Sequence, residues 1–316
     1  NQIWLSKDTC SFFLRLPLRN LSFWVPMLLS RQHATVRAAA RSFQAVAQPT
    51  RPIFFDMQHS NNAARIRLWL MLKGGDVASK IERRIVKYTD LQTEEFVAVN
   101  PLKKVPGFIR ADGTTVFESS VILNYLEDKY AADGAITFKP ATPEGRQTMD
   151  LVIRIHDLYI ASPNCTAPGF SHTQGAMYLS FGWHGPARGM DAETRAAKVA
   201  EIWKQLSWLE ANCAASPWLL GDSEQATLAD FTWFPTCVFL EFMLPRVFGW
   251  SPPFEEGPAT PFPKLARWYT GLQARPSFGE VHKEIWSYWV EMEAAGQFKP
   301  IQEEVAARGD LKFLYP

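Results

Sequence analysis

A small mixed α/β domain followed by an all-helical domain is the architecture the sequence predicts. Three observations point to it. Residues 52–131 alternate short apolar runs with helix-period segments in the order β-α-β-α-β-β-α. Residues 131–145, AADGAITFKPATPEG, are loose and polar and read as a linker. Downstream of them the apolar spacing is almost purely helical. The expected division is an extension over 1–51, the α/β domain over 52–131, a linker over 132–145, the helical domain over 146–296 and a tail over 297–316. A chain of 316 residues can fill two such domains with cores of their own, and 47% hydrophobic against 21% charged residues excludes a disordered chain.

The elements follow in order. Residues 52–57 form a short strand, apolar at Ile53, Phe54 and Phe55, and Pro52 suits a strand's first position. Residues 63–73 are helical, with Ile66, Leu68, Trp69, Leu70 and Leu72 apolar, Arg65 and Arg67 outward, and Gly74–Gly75 as the stop. KIERRIVKY sets Ile81, Ile85 and Val86 among charges, as a half-buried strand does. TEEFVAV is a short helix, and NPLKKVPGFI leads into a strand. RADGTTVFE holds an Asp112-Gly113 turn between two strands, and SSVILNYLEDKY is a helix. In the second domain Val199, Ile202, Trp203, Leu206 and Leu209 mark one face of a long helix. ATLADFTWFPTCVFLEFM is apolar all round and therefore a buried helix, with a Thr227/Asp230 capping box at its start and a kink expected at Pro235. FPKLARWYTGLQARPSF is another helix with proline at each end. Trp69, Trp203 and Trp233 read as core residues. Two segments rich in glycine, proline and aromatics, 168–190 and 248–263, either line a binding cleft or elaborate the surface.

Charge and cysteine content narrow the function classes. A net charge of +1 gives no field for nucleic acid and suits a small neutral or zwitterionic ligand. Cys10, Cys165, Cys213 and Cys237 are far apart with no CxxC, and the six histidines lack metal-ligand spacing, so neither a disulfide scaffold nor a metal site is expected. Within 1–51 the only acid is Asp8, against seven basic residues. Arg15, Pro17, Arg19 and Pro26 interrupt the apolar stretch over 11–30, so no clean membrane span of about 20 residues is present. From Met27 the arginine-spaced, acid-free stretch reads as an organelle presequence or as an extension without a targeting role. The expected location is the cytoplasm, or the mitochondrion or plastid if 27–51 is a presequence.

Four pieces then carry a resemblance. NPLKKVPGFI followed by FESSVILNYLEDKY resembles the glutathione-binding half of the cytosolic glutathione transferases. WLLGDSEQATLADFTWFP and FPKLARWYTGLQARPSF resemble the helical half of the same family, and the resemblance runs in order over about residues 52–290. It implies a thioredoxin-like domain, an all-helical domain, glutathione as co-substrate and a homodimer, with no metal or organic redox cofactor.

The residue chemistry agrees. The Val105-Pro106 bond precedes a strand, and a cis proline there exposes a backbone edge, which in the family pairs with the cysteinyl backbone of glutathione. Glu118-Ser119 stands where a strand meets a helix. Ser119 as N-cap leaves helix amides for a carboxylate, and Glu118 takes an ammonium, so the pair suits the γ-glutamyl end. Lys104 falls where relatives often carry a ligand-touching glutamine, and its ammonium suits the tripeptide's carboxylates. SNNAAR resembles the element of serine-type members (phi-, theta- or zeta-like) in which a hydroxyl faces the glutathione sulfur, which implies Ser60 as the catalytic donor. A free thiol has a pKa of about 8.5, and lowering it by about two units requires only about 2.7 kcal/mol. A hydroxyl donor near a helix N-terminus supplies stabilisation of that kind.

Alternatives stay open at the same spot. Ser60 also serves as a plain N-cap, and Asn61 or Asn62 could be the donor, as in relatives that favour glutathione-dependent disulfide reduction. His59-Ser60 is no hydrolase dyad, since no GxSxG elbow exists. The lack of cysteine here argues against omega-like and glutaredoxin-like chemistry, and Ser-Asn-Asn in place of Ser-Ser-Cys disfavours zeta-like isomerisation. The electrophile pocket is expected from the helix over 146–162 and the aromatic segment after it, with His156, Tyr159, Phe170 and Tyr178 as candidates beside packing roles for each. Two function classes follow: a glutathione transferase acting on a hydrophobic electrophile or in a related peroxide or disulfide reaction, and a non-catalytic interaction module on the same fold.

Overall fold

In the computed structural model the described residues are 48–131, 136–161, 190–221 and 223–315. Nearly all of the 1–51 extension, and with it the presequence reading, lies outside them, as do Phe170 and Tyr178.

The first domain runs β1 (Ile53–Asp56), α1 (Asn61–Lys73), α2 (Gly75–Ala78), β2 (Glu82–Ile85), a 3₁₀ turn (Asp90–Gln92), α3 (Glu94–Val99), β3 (Gly107–Ile109), β4 (Thr115–Phe117) and α4 (Ser119–Lys129). The sheet order is β2-β1-β3-β4, with β1 parallel to β2 and antiparallel to β3. This is the mixed sheet of a thioredoxin-like domain. The β3–β4 hairpin closes through Gly113 at φ 82°, a left-handed conformation that glycine adopts without strain. All four residues of β1 are buried, because both faces of the sheet are covered. Phe54 joins the main core with α1 and α4, while Ile53 and Phe55 pack with Phe96, Val99 and Ile109 in a smaller core opposite.

Two sequence expectations fail here for one reason, the position of each element in the stack. β2 is an edge strand, and Ile85 is 51% exposed although Ile81 and Val86 are buried. Arg65 and Arg67, expected outward, are each 1% exposed. Helix α1 is covered on both sides, by its own domain and by the helical domain.

The second domain runs α5 (Pro143–Ile155), a π-helical turn (His156–Ile160), α6 (Ala192–Asn212), α7 (Leu228–Phe248), α8 (Pro263–Gln273), α9 (Pro276–Ala294) and α10 (Lys299–Ala307). Both domains belong to one compact unit, Ala45–Pro316. Helix α7 is the buried centre, and it continues through Pro235 and Pro245 as one helix of 21 residues. Trp69 and Trp233 are fully buried, while Trp203 is half-buried against Trp250, Phe262 and Tyr315.

Residues after 296 are not a bare tail. Ile301 on α10 and Phe313 beyond it enter the core, and the Trp250 indole donates to the Phe313 carbonyl at 2.8 Å. The 248–263 segment also differs from expectation: Trp250, Phe254 and Phe262 point into the core, so they do not line a cleft. Among the described residues no helix is long and apolar enough to cross a membrane.

Candidate functional site

Strand register brings the segments that carry the predicted residues to one end of the sheet. Phe55 near the end of β1 pairs with Gly107 at the start of β3, and Gly107 pairs with Phe117 at the end of β4. The segments that leave these three points carry Ser60, Val105-Pro106 and Glu118-Ser119. Antiparallel pairing therefore brings residues about 60 apart in sequence to a common rim.

Ser60 is the N-cap of α1, and its Oγ accepts from the Ala63 N–H at 3.2 Å. Accepting there leaves the hydroxyl proton for an outside acceptor, and no described residue takes it. The first turn of α1 has no acidic residue, so no side chain of that turn opposes an anion at this helix start. Asn62 lies in the same turn, half-buried, and the buried side-chain oxygen of Asn61 has no protein partner.

At the second segment the Val105-Pro106 bond is cis. The Asn100 amide donates to the Lys104 carbonyl at 2.6 Å and braces the loop before it. Burial pushes the Lys104 ammonium below its usual range, opposed by the Glu118 carboxylate, which places those two side chains in each other's field. At the third segment the N-cap of α4 is Glu118 rather than Ser119, a correction with a clear cause. Glu118 takes φ 70° to turn the chain out of β4, so Ser119 is already helical and buried. No side chain caps this terminus, and its free amides remain open to an anion. An exposed non-glycine residue at positive φ is a strained position of the kind that clusters at binding sites.

The candidate pocket residues separate. His156 is fully buried in the π-helical turn, where the Arg65 guanidinium donates to its Nδ1 at 2.7 Å. Its Nδ1 also lies 3.0 Å from Asp157 Oδ1, and its Nε2 lies 2.8 Å from the Thr236 hydroxyl. Burial first, and then the Arg65 charge, push His156 down to about 4. Asp157 accepts from the same guanidinium at 2.8 Å. Burial opposes its ionisation, but the Arg65 and His156 interactions prevail and hold the carboxyl well below the usual range. His156 thus ties α1 to the helical domain and does not face an open cleft. Tyr159 is 41% exposed, and its carbonyl accepts from Lys198 at 2.7 Å.

Sequence reasoning missed the residues that hold the β1–α1 turn. Arg67 donates to Asp56 Oδ1 at 2.7 Å, to the Met57 carbonyl at 3.3 Å and to the Gln58 carbonyl at 2.5 Å. The His59 ring stacks on Tyr288 of α9 with centroids 3.6 Å apart and planes 7° from parallel. Burial, with the Arg67 charge, pushes His59 down to about 3. Arg67 resembled an ordinary solvated residue of an amphipathic helix, and its Asp56 partner was the one detectable clue, a lone charge inside an apolar strand. Among the described residues no group of three or more potential metal ligands occurs.

Comparison with known proteins adds independent findings. Residues 59–129 match the family model "Glutathione S-transferase, N-terminal domain", and residues 192–271 match "Glutathione S-transferase, C-terminal domain". Maleylacetoacetate isomerase of Mus musculus is 37% identical over 82 residues, which is 26% of this chain and only 37% of that protein's length. Glutathione S-transferase 3 of Zea mays is 25% identical over 229 residues, 71% of this chain and 90% of that protein. Among solved structures, glutathione transferase URE2P6 of Phanerochaete chrysosporium, in complex with oxidized glutathione, superposes with a TM-score of 0.55 at 22% identity, covering 76% of this chain and 98% of that one. At that identity the likeness is one of fold.

Proposed function

Because this chain belongs to the glutathione S-transferase family, we propose that it binds glutathione at this end of the sheet and activates its thiol with the Ser60 hydroxyl for attack on a hydrophobic electrophile. The observation that carries this reading is the shared rim: Phe55, Gly107 and Phe117 pair across three strands, and each leads into one of the three predicted contact segments.

The roles follow from the chemistry of each group. The uncapped α4 terminus at Ser119 takes the γ-glutamyl carboxylate, and exposed Glu118 takes its ammonium. The Val105 backbone before β3 pairs with the cysteinyl unit, at the position set by Pro106. Lys104 serves a carboxylate of the tripeptide. Ser60 then donates to the sulfur while its oxygen stays fixed by the Ala63 amide. Tyr159, together with Phe170 and Tyr178 outside the described residues, stays the proposed set of electrophile contacts, and the proposed assembly is a homodimer.

Ultraviolet absorbance of the bound thiolate against pH tests the donor. Ser60→Ala is expected to raise the bound thiol pKa by about two units and to leave glutathione affinity within about threefold of the parent. An unmoved pKa in Ser60→Ala, with a shift in Asn62→Ala instead, would transfer the role to Asn62 and favour disulfide or peroxide reduction. Retention on immobilised glutathione without turnover in any glutathione reaction would leave a binding module.

A further inference from the structure

We propose that Tyr288 and Glu284 of the helical domain are positioning residues that hold the β1–α1 turn and so aim the Ser60 hydroxyl. The proposal rests on the Ser60 reading above. The two residues are four apart on α9 and therefore share a face. That face meets the turn at the two side chains that fix its shape.

The first is His59, directly before Ser60. Its ring is stacked flat on Tyr288, its edge meets Trp289 at 6.1 Å between centroids, and its Nε2 lies 2.8 Å from the Tyr88 hydroxyl. Tyr88 also hydrogen-bonds the Tyr288 hydroxyl, so the three rings form one closed unit. The second is Arg67, which grips the Met57 and Gln58 carbonyls from the second turn of α1. Its Nε lies 2.9 Å from Glu284 Oε2, an ion pair without hydrogen-bond alignment, while Asp56 accepts from its Nη1 at 2.7 Å. Arg83 completes the group, 2.7 Å from the second Asp56 oxygen and 3.4 Å from Glu284. Two guanidinium groups thus face two carboxylates, and Glu284 is the member supplied by the helical domain.

The consequence concerns direction rather than strength. The Ser60 N–H donates to the Met57 carbonyl at 2.8 Å, so the hydroxyl is oriented by the same short turn that Arg67 and His59 pin. A hydrogen bond to sulfur depends on that aim, and an error of about 1 Å removes much of its effect. The glutathione contacts assigned to Lys104, Val105, Glu118 and Ser119 lie on other segments and do not pass through this latch.

The test uses the full chain and reads the bound thiol pKa from thiolate absorbance, beside glutathione affinity by calorimetry. Tyr288→Ala is expected to raise the thiol pKa by about one unit with affinity within about twofold. Tyr288→Phe, which keeps the stack and loses only the bond to Tyr88, should recover most of the shift, and Glu284→Gln should give a smaller rise in the same direction. The decisive arm is the pair: in a Ser60→Ala background Tyr288→Ala should produce no further shift, because it acts through the hydroxyl already lost. If Tyr288→Ala does not fold, Tyr288→Leu and Glu284→Gln carry the same comparison. Latch variants at the parent pKa, or shifts that add fully to that of Ser60→Ala, would overturn this proposal alone. An unmoved pKa in Ser60→Ala would overturn the donor reading and this proposal with it.

Discussion

Asp230 is a buried point where several polar groups of the helical domain converge. It is fully buried at the start of α7 and accepts four hydrogen bonds: from the Thr227 amide at 2.8 Å, the Thr227 hydroxyl at 3.0 Å, the Leu219 amide at 2.9 Å and the Trp268 indole at 2.9 Å. The capping-box spacing of Thr227 and Asp230 disclosed half of this, the pair that closes the helix end. The other half reaches back to the preceding loop and forward to α8, and no local pattern encodes it. Aspartate in place of the usual glutamate fits such convergence, since a shorter side chain keeps its oxygens near the helix axis. Removing the carboxylate strands several buried donors at once. Asp230→Ala is therefore expected to lower unfolding free energy by about 3–5 kcal/mol, measured by urea denaturation, whereas an ordinary exposed cap loses about 1.

At the scale of elements, α7 controls the segment that follows it through Glu241. Its carboxylate accepts from the Phe254 amide at 2.8 Å and so anchors the turn that carries Phe254 into the core. Burial pushes Glu241 up to about 7, against the opposing effect of that hydrogen bond. A carboxyl whose folded pKa lies above its unfolded value of about 4.3 binds more protons when folded. Its contribution is fully present below about pH 4.3 and is lost as pH rises to about 7. Glu241→Gln should flatten that limb: relative to the parent, the variant gains stability between about pH 5 and about pH 8 in urea midpoints. Equal differences at both pH values would show that Glu241 ionises normally in the folded chain.

For the whole molecule, two buried imidazoles join the domains. His59 of the α/β domain stacks on α9, and His156 of the helical domain accepts from Arg65 on α1. Their folded values of about 3 and about 4 lie below the unfolded value of about 6.5. The stability they confer is fully present above about pH 6.5 and is lost as pH falls toward those folded values. Glu241 and Asp230, both carboxyls pushed up by burial, act in the opposite sense, while His282, pushed down by burial, adds to the imidazole side, so three imidazoles oppose two carboxyls. Net stability should therefore drop on acidification from about pH 7 to about pH 5, and His156→Gln should remove about one proton of uptake from that slope. A parent chain whose urea midpoint is flat or rising on acidification would contradict the neutral, buried state of both rings.

Sequence alone determined the order of elements, the change from sheet to helix near residue 140, the buried character of α7 and the three segments that supply the candidate glutathione contacts. Those features are local, because period, turn chemistry and capping are written within a few residues of where they act. Tertiary structure alone decided which polar residues lie inside. Arg65 and Arg67 look like the solvated side of an amphipathic helix until a second domain covers that side and supplies His156, Asp157 and Glu284 as partners. The same packing buries Phe254 and Phe313, turns Ile85 outward on an edge strand and encloses His156 away from any cleft. Burial of a charge depends on what arrives from about 90 to 220 residues away, and periodicity within one segment holds no record of it.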